Sequence, residues 1–426
     1  MLKPALQTRI ILVNALALGL LFIIGGCDTR EESLPRSDSS STASSAALRF
    51  DQVQLTDAAV SALLDNYSRQ IRLDLEQAIS SAQIMNDAIN SFLALPDMEN
   101  LETLRRHWLT AHSDYEATAL HRYFFQLVMG MNTSALDLSL TLDRLQYQIN
   151  YWPILPGYID YLADYPDSGL VSDITLPLSR ETLIQQHGTY DLSEVLLGFH
   201  PLEFLLWGEV AAEGQDGRQV QDYQPILALT LEQQSAGLQL SQLINNRRRQ
   251  LLTLMGSNLV EDLIAVQQLW IRNEPALRNT VEMSGSTGII ALILDATINM
   301  LVEEILVRSL YPMLNGEFDS SQQSPFSHST GSAVMAQLQG IENLLTTGAT
   351  GNLTMELMLT ALLPEFPDTF YMNFDASKVC LTLLYSSAAL SSDPQVTVQT
   401  EFEIVECINL ISNMTNTLER VKQVFR

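Results

Sequence analysis

The sequence predicts an all-α protein, and three observations lead there. Apolar residues recur in steps of three and four along most of the chain, while strand-type alternation is almost absent. The chain has 426 residues, of which 46% are apolar and only 17% charged, so it can bury more than one small core and should fold.

The elements follow in order. Met1 to Gly26 carries Lys3 and Arg9 as its only charges, and residues 10–24 are apolar apart from Asn14. This stretch (1–26) reads as a secretory signal peptide, because the run is short for a retained membrane helix and stops at small residues. Its end, Ile24-Gly25-Gly26-Cys27, resembles the bacterial lipobox. That resemblance implies lipidation at Cys27, a membrane anchor, and a body facing the periplasm of the cell envelope. Asp28, by likeness to the enterobacterial sorting rule, favours the inner membrane. Residues 27–48 are Ser-rich and aperiodic, as suits a flexible tether.

Thr56 and Asp57 supply an N-cap, after which Val60, Leu64, Tyr67, Ile71, Leu75, Ala78, Ala82, Met85, Ile89 and Phe92 mark one helical face closed by Pro96. Further helices are expected over about 101–130 and 134–147. Tyr151-Trp152-Pro153-Ile154-Leu155-Pro156-Gly157-Tyr158-Ile159-Asp160 reads as a loop packed on its own side chains, and a helix should start or bend beside Pro201. The Gly-containing stretch 213–217 ends this half. Beyond it, helical patterning covers about 227–256, 259–272, 287–313, 332–345, 353–362, 376–389 and 400–425, with Val396-Thr397-Val398-Gln399 left as loop. Residues 285–294 are strongly apolar, but Asp295, Glu303 and Glu304 cut the run well short of a membrane span. Residues 314–331 form a long polar loop holding His328, and such loops often carry function. Cys380 and Cys407 could form a disulfide or remain two buried thiols.

The 23 basic against 49 acidic residues leave a formal charge of −26, and removal of Lys3 and Arg9 with the leader makes the rest more negative still. Such a surface repels nucleic acid and suits a soluble body or one that attracts cations. Arg247-Arg248-Arg249 is the one basic cluster, expected as a solvated helix face.

The candidate site lies in the apolar run Leu196-Leu197-Gly198-Phe199-His200-Pro201-Leu202-Glu203-Phe204-Leu205-Leu206-Trp207-Gly208. His200 and Glu203, three apart on a helix, share a face and can converge on one point, as a pair of metal ligands must. The plain alternative is a buried imidazole hydrogen-bonded to its neighbouring carboxylate.

With this run and the lipobox, the chain resembles the imelysin family, marked by a G-x-H-x-x-E motif that Gly198, His200 and Glu203 match. Trp108, Ala111, Tyr115, Thr118 and Arg122 fit the spacing of that family's W-x-x-A-R-x-x-Y-x-x-T-E-x-x-R helix. Trp152-Pro153 with Gly157 to Asp160 resembles its W-P segment, and Glu304 with Arg308 its E-x-x-x-R helix. The stretch around Ser327 resembles its S-x-F-S-D-N-T loop, and the tail runs to Trp207 and Gly208. The resemblance implies two helical-bundle halves, here residues 49–218 with the motif and 219–426, meeting at the motif-bearing surface.

It also implies a role in metal acquisition, through an iron ion first and a zinc ion second. The ligand candidates are His200 and Glu203 with His112, Glu116 and His328. This chain has His112 and Ala119 where the family has Arg and Glu, and His328 where it has Asp, so a carboxylate is lost and imidazoles are gained. Glu116, one helical turn after His112, is placed to substitute. A metallopeptidase is the first alternative, although the H-E-x-x-H arrangement is missing. The second is a metal-free module that binds an envelope protein through a decayed site.

Overall fold

The computed structural model describes residues 56–131, 136–162, 164–209, 217–346, 354–386 and 397–424. The leader, Cys27, Asp28, the tether and most of the 213–217 stretch lie outside these residues. Among them the only strand-type feature is one isolated bridge between Leu162 and Tyr165, so the protein is all-α.

Helix α1, Asp57–Ala94, starts where the Thr56 side chain accepts from the Ala59 amide, and its ten marked apolar residues are all buried. Three residues later Asp97 caps α2, Met98–Glu116, through the Asn100 amide at 2.9 Å, and the two helices pack along each other. The sequence predicts a single helix over 101–130. The structure divides it at Ala117 and Thr118, and α3 resumes over Ala119–Gly130. The break has a tertiary side and a local one. Gly340 sits so close that a Cβ there would collide with the Ala117 carbonyl, while the Thr118 hydroxyl donates to the Tyr115 carbonyl at 2.6 Å.

Helix α4 (Leu136–Asn150) leads into the Trp152 loop, whose Trp152–Pro153 bond is cis. Helices α5 (Arg180–Gln186) and α6 (Phe199–Trp207) follow. Two expectations fail in the next stretch. Only short turns, Leu231–Ser235 and Leu240–Gln242, form within 227–243, each opened by a capping box; Leu227 and Leu231 are exposed, so no apolar face holds a longer helix. Helix α7 then runs unbroken over Ile244–Glu282, passing Gly256, because that glycine lies against Asn86 and Ile89 of α1 and serves close packing, not chain termination.

Arg247 and Arg248 are a further correction. They are buried, with Arg247 donating to the carbonyls of Leu170, Val171, Asp173 and Leu176, and Arg248 bound to Asp160 at 2.5 and 3.1 Å. Their charge is used internally to hold the irregular 160–176 segment, whose carbonyls no helix satisfies.

Helix α8 (Gly285–Met300) buries Ile289, Ile290, Ile293 and Leu294 and continues into a π-helical segment, Leu301–Leu310. Among the described residues no helix is long and apolar enough to cross a membrane. Helices α9 (Thr330–Thr346), α10 (Met355–Leu362), α11 (Phe366–Ser386) and α12 (Thr397–Gln423) complete the chain. α11 starts ten residues earlier than expected. Pro367 falls in its first turn, where no amide hydrogen is needed, and Phe366, Phe370 and Phe374 stack along the buried face. Thr397 to Gln399, expected in a loop, form the first turn of α12. A disulfide joins Cys380 on α11 to Cys407 on α12, with Cα atoms 5.6 Å apart, which resolves the pairing left open by the sequence.

Candidate functional site

Gly198 is the N-cap of α6 at φ 102°, and a Cβ there would collide with the carbonyl oxygens of Gln148 and Ile149 at the end of α4. Only glycine fits both the conformation and the approach. Pro201 occupies the first turn, so the helix starts beside His200 as its sequence predicts. The preceding segment is pinned from behind: the buried His187 accepts the Leu196 and Leu197 amides on Nδ1 at 3.1 and 3.2 Å. These contacts fix where α6 enters and hence where its second and fifth residues, His200 and Glu203, point.

His200 and Glu203 are both buried, and Nδ1 of His200 lies 3.3 Å from Glu203 Oε2. The other carboxylate oxygen accepts from the amide and hydroxyl of Ser327, both at 2.7 Å, and the Ser327 hydroxyl also meets Ser329 at 2.7 Å. Burial pushes the Glu203 carboxyl up to about 7, against the opposing pull of the Ser327 donors and His112. Burial also pushes His200 down to about 3; Glu116 resists and Arg308 assists. The imidazole is therefore neutral at physiological pH. When Glu203 is ionised, Nδ1 keeps the proton and Nε2 presents a lone pair; when Glu203 is protonated, it donates to Nδ1 and Nε2 carries hydrogen.

Nε2 of His200 is buried without a hydrogen-bond partner. His200 lines a pocket of about 430 Å³ with Trp152, Pro153, Ile154, Gln323 and Phe326 among its walls. Arg308 holds that wall in place, stacking 4.3 Å from the Trp152 ring centroid and donating to the Trp152 carbonyl at 3.2 Å. Arg308 and Glu304 lie in the π-helical segment and pair at 3.2 Å, an example of the wider tendency of such segments to fall at functional sites.

The His112 ring packs edge-on to the His200 ring at 5.2 Å and stacks on Trp108, whose indole donates to the Phe199 carbonyl at 3.0 Å. Trp207 meets Trp108 edge to face, and Tyr115 packs on Phe199. Nε2 of His112 sits 3.2 Å from Asn150 Oδ1 and 3.6 Å from Glu116 Oε1, and burial brings this imidazole down to about 4. Glu116 accepts from Asn150 at 2.5 Å, Gln323 at 2.8 Å, Gln337 at 2.8 Å and Arg122 at 3.5 Å. Burial alone would raise its pKa, but Arg122, His112 and the two glutamines overcome that and hold it at about 2.

Four of the five sequence candidates thus gather, while His328 does not join them. It is exposed, has φ 55°, and lines a different pocket of about 640 Å³ with Ser113, Met335 and Tyr385. Among the described residues no group of three or more His, Cys, Asp or Glu is arranged to hold a metal ion. Asn150, His187, Gln323 and Gln337 are parts of the site that sequence pattern did not single out. Of these, only Asn150 carried a local signal, standing directly before Tyr151-Trp152-Pro153.

A family model described as imelysin, of the M75 peptidase group, matches residues 71–366. The chain belongs to the imelysin family. Two crystal structures share the imelysin fold with it. One is described as an iron-regulated protein A precursor from Parabacteroides distasonis, 14% identical, with TM-score 0.55 over 87% of this chain and 96% of that one. The other is an imelysin-like protein from Psychrobacter arcticum 273-4, 14% identical, with TM-score 0.50 over 85% of this chain and 93% of that one. No curated protein matches the chain. Within this imelysin fold, Ala119 opens α3 as a fully buried residue, and Glu116 closes α2 one turn earlier.

Proposed function

We propose that this imelysin-family chain is a binding protein of the cell envelope, anchored through Cys27, that engages a metal through His200 with Glu203 as the carboxylate that orients the ring. The observation that carries this is the buried, unpartnered Nε2 of His200 on a pocket wall, with Nδ1 committed to Glu203. A carboxylate behind the non-ligating nitrogen is the usual way a protein fixes the tautomer and orientation of a metal-binding imidazole. Iron is the first choice of metal, supported by the description of one structural relative as iron-regulated.

Glu116 and His112 act in this scheme as fixed electrostatic surroundings, since Glu116 already receives four donors. A peptidase reading would need Glu203 or Glu116 as general base, but the oxygens of both are engaged, those of Glu203 by Ser327 and His200 and those of Glu116 by its four donors. Metal content of protein prepared from its native envelope, with calorimetric titration of iron and zinc, tests the proposal. His200→Ala should abolish the bound metal while leaving the helical content unchanged; equal binding by the variant would overturn the assignment.

A further inference from the structure

Donors are scarce at this site and space is plentiful. Nε2 of His200 is the one unpartnered imidazole nitrogen on the pocket wall, while Glu116 is held by four donors and Glu203 by Ser327 and His200. A bare ion needs several protein ligands at about 2 Å, and no group of three is placed for it among the described residues. The pocket, at about 430 Å³, has the size of a small-molecule site rather than an ion cage. Its walls include an indole, a phenyl ring and prolines. Trp152, a residue of the same wall, carries a second buried polar atom without a partner, its indole Nε1.

We propose that the pocket takes its metal already chelated: a small organic metal complex with an open coordination position, filled by Nε2 of His200, its organic part resting against Trp152 and Phe326. This rests on the assignment of His200 as the metal-contacting residue and adds the class of ligand. The chelator supplies the coordination bonds the protein lacks, the aromatic walls supply burial, and the Trp152 N–H is a donor suited to a chelator oxygen.

The test uses the whole chain and one metal, nickel(II), in three forms: the free ion, its nitrilotriacetate complex, which leaves coordination positions open, and its EDTA complex, which occupies them. Calorimetry should show the nitrilotriacetate complex binding once per chain, no binding of the EDTA complex, and weaker binding of the free ion at His200. His200→Gln should weaken the nitrilotriacetate complex by at least about tenfold, whereas His328→Ala should leave it unchanged. Trp152→Phe, which keeps an aromatic wall and removes the N–H, should weaken that complex a few-fold without affecting the free ion. Tight His200-dependent binding of the free ion, equal to or stronger than that of the complex, would overturn the chelate inference and leave the metal role of His200 standing. Equal binding of the EDTA complex would overturn the open-position argument, and loss of His200 dependence for all three forms would overturn both proposals.

Discussion

Glu116 and Glu203 are both fully excluded from solvent, both lie within the same polar cluster, and they are driven in opposite directions. The shell around Glu116 draws on four elements: Asn150 from the end of α4, Arg122 from α3, Gln337 from α9 and Gln323 from the loop before it. That many donors, one of them charged, hold its carboxyl at about 2. Glu203 has the Ser327 pair, the Phe326 backbone and neutral imidazoles but no charged donor, so desolvation wins and its carboxyl rises to about 7. Burial therefore does not decide a carboxylate's charge; the supply of donors does. The difference also divides labour, since Glu116 is locked as an ion inside the scaffold while Glu203 stays poised behind the one imidazole that faces the pocket.

The most drastic way to break the comparison is Glu116→Ala, which leaves Arg122 and three amide donors without their shared acceptor. It should cost about 3–5 kcal/mol of stability, read from the denaturation midpoint in urea. Next is the pH dependence. Glu203 has a folded pKa above the ordinary carboxyl value of 4.5, so its contribution is present below that value and is lost as pH rises through about 7. Glu116 has the opposite sign, with a contribution present above 4.5 and lost as pH falls toward about 2. The stability difference between wild type and Glu203→Gln should therefore shift in favour of the variant by up to roughly 3 kcal/mol between about pH 5 and pH 8. A difference that does not change with pH would show that Glu203 titrates as an ordinary carboxylate. The smallest effect is expected from Ser327→Ala, which removes one donor to Glu203. It should cost about 1.5 kcal/mol at pH values where Glu203 is ionised and less where it is protonated, sharpening the contrast by moving the Glu203 pKa further up.

Much of the site was legible because its residues are local. Gly198, His200 and Glu203 lie within six residues, so helical spacing alone puts imidazole and carboxylate on one face, and Trp108, His112 and Glu116 repeat that logic on α2. The partners were not legible. Ser327 reaches Glu203 across 124 positions, Gln337 reaches Glu116 across 221, and nothing in the pattern of either segment names its target. The same limit explains the Arg247-Arg248-Arg249 triplet, which reads as a solvated face until the carbonyls of the 170–176 segment and Asp160 are brought against it.

From the chain alone came the all-α class, the cap at Thr56, the start of α6 beside Pro201 and the pairing of His200 with Glu203, since each depends on contacts within one or two helical turns. The tertiary structure decided the break at Ala117 under Gly340, the unbroken course of α7 past Gly256 and the Cys380–Cys407 disulfide. It also decided which carboxylate is charged. That outcome is set by donors distant in sequence, and only close packing brings them within hydrogen-bond range.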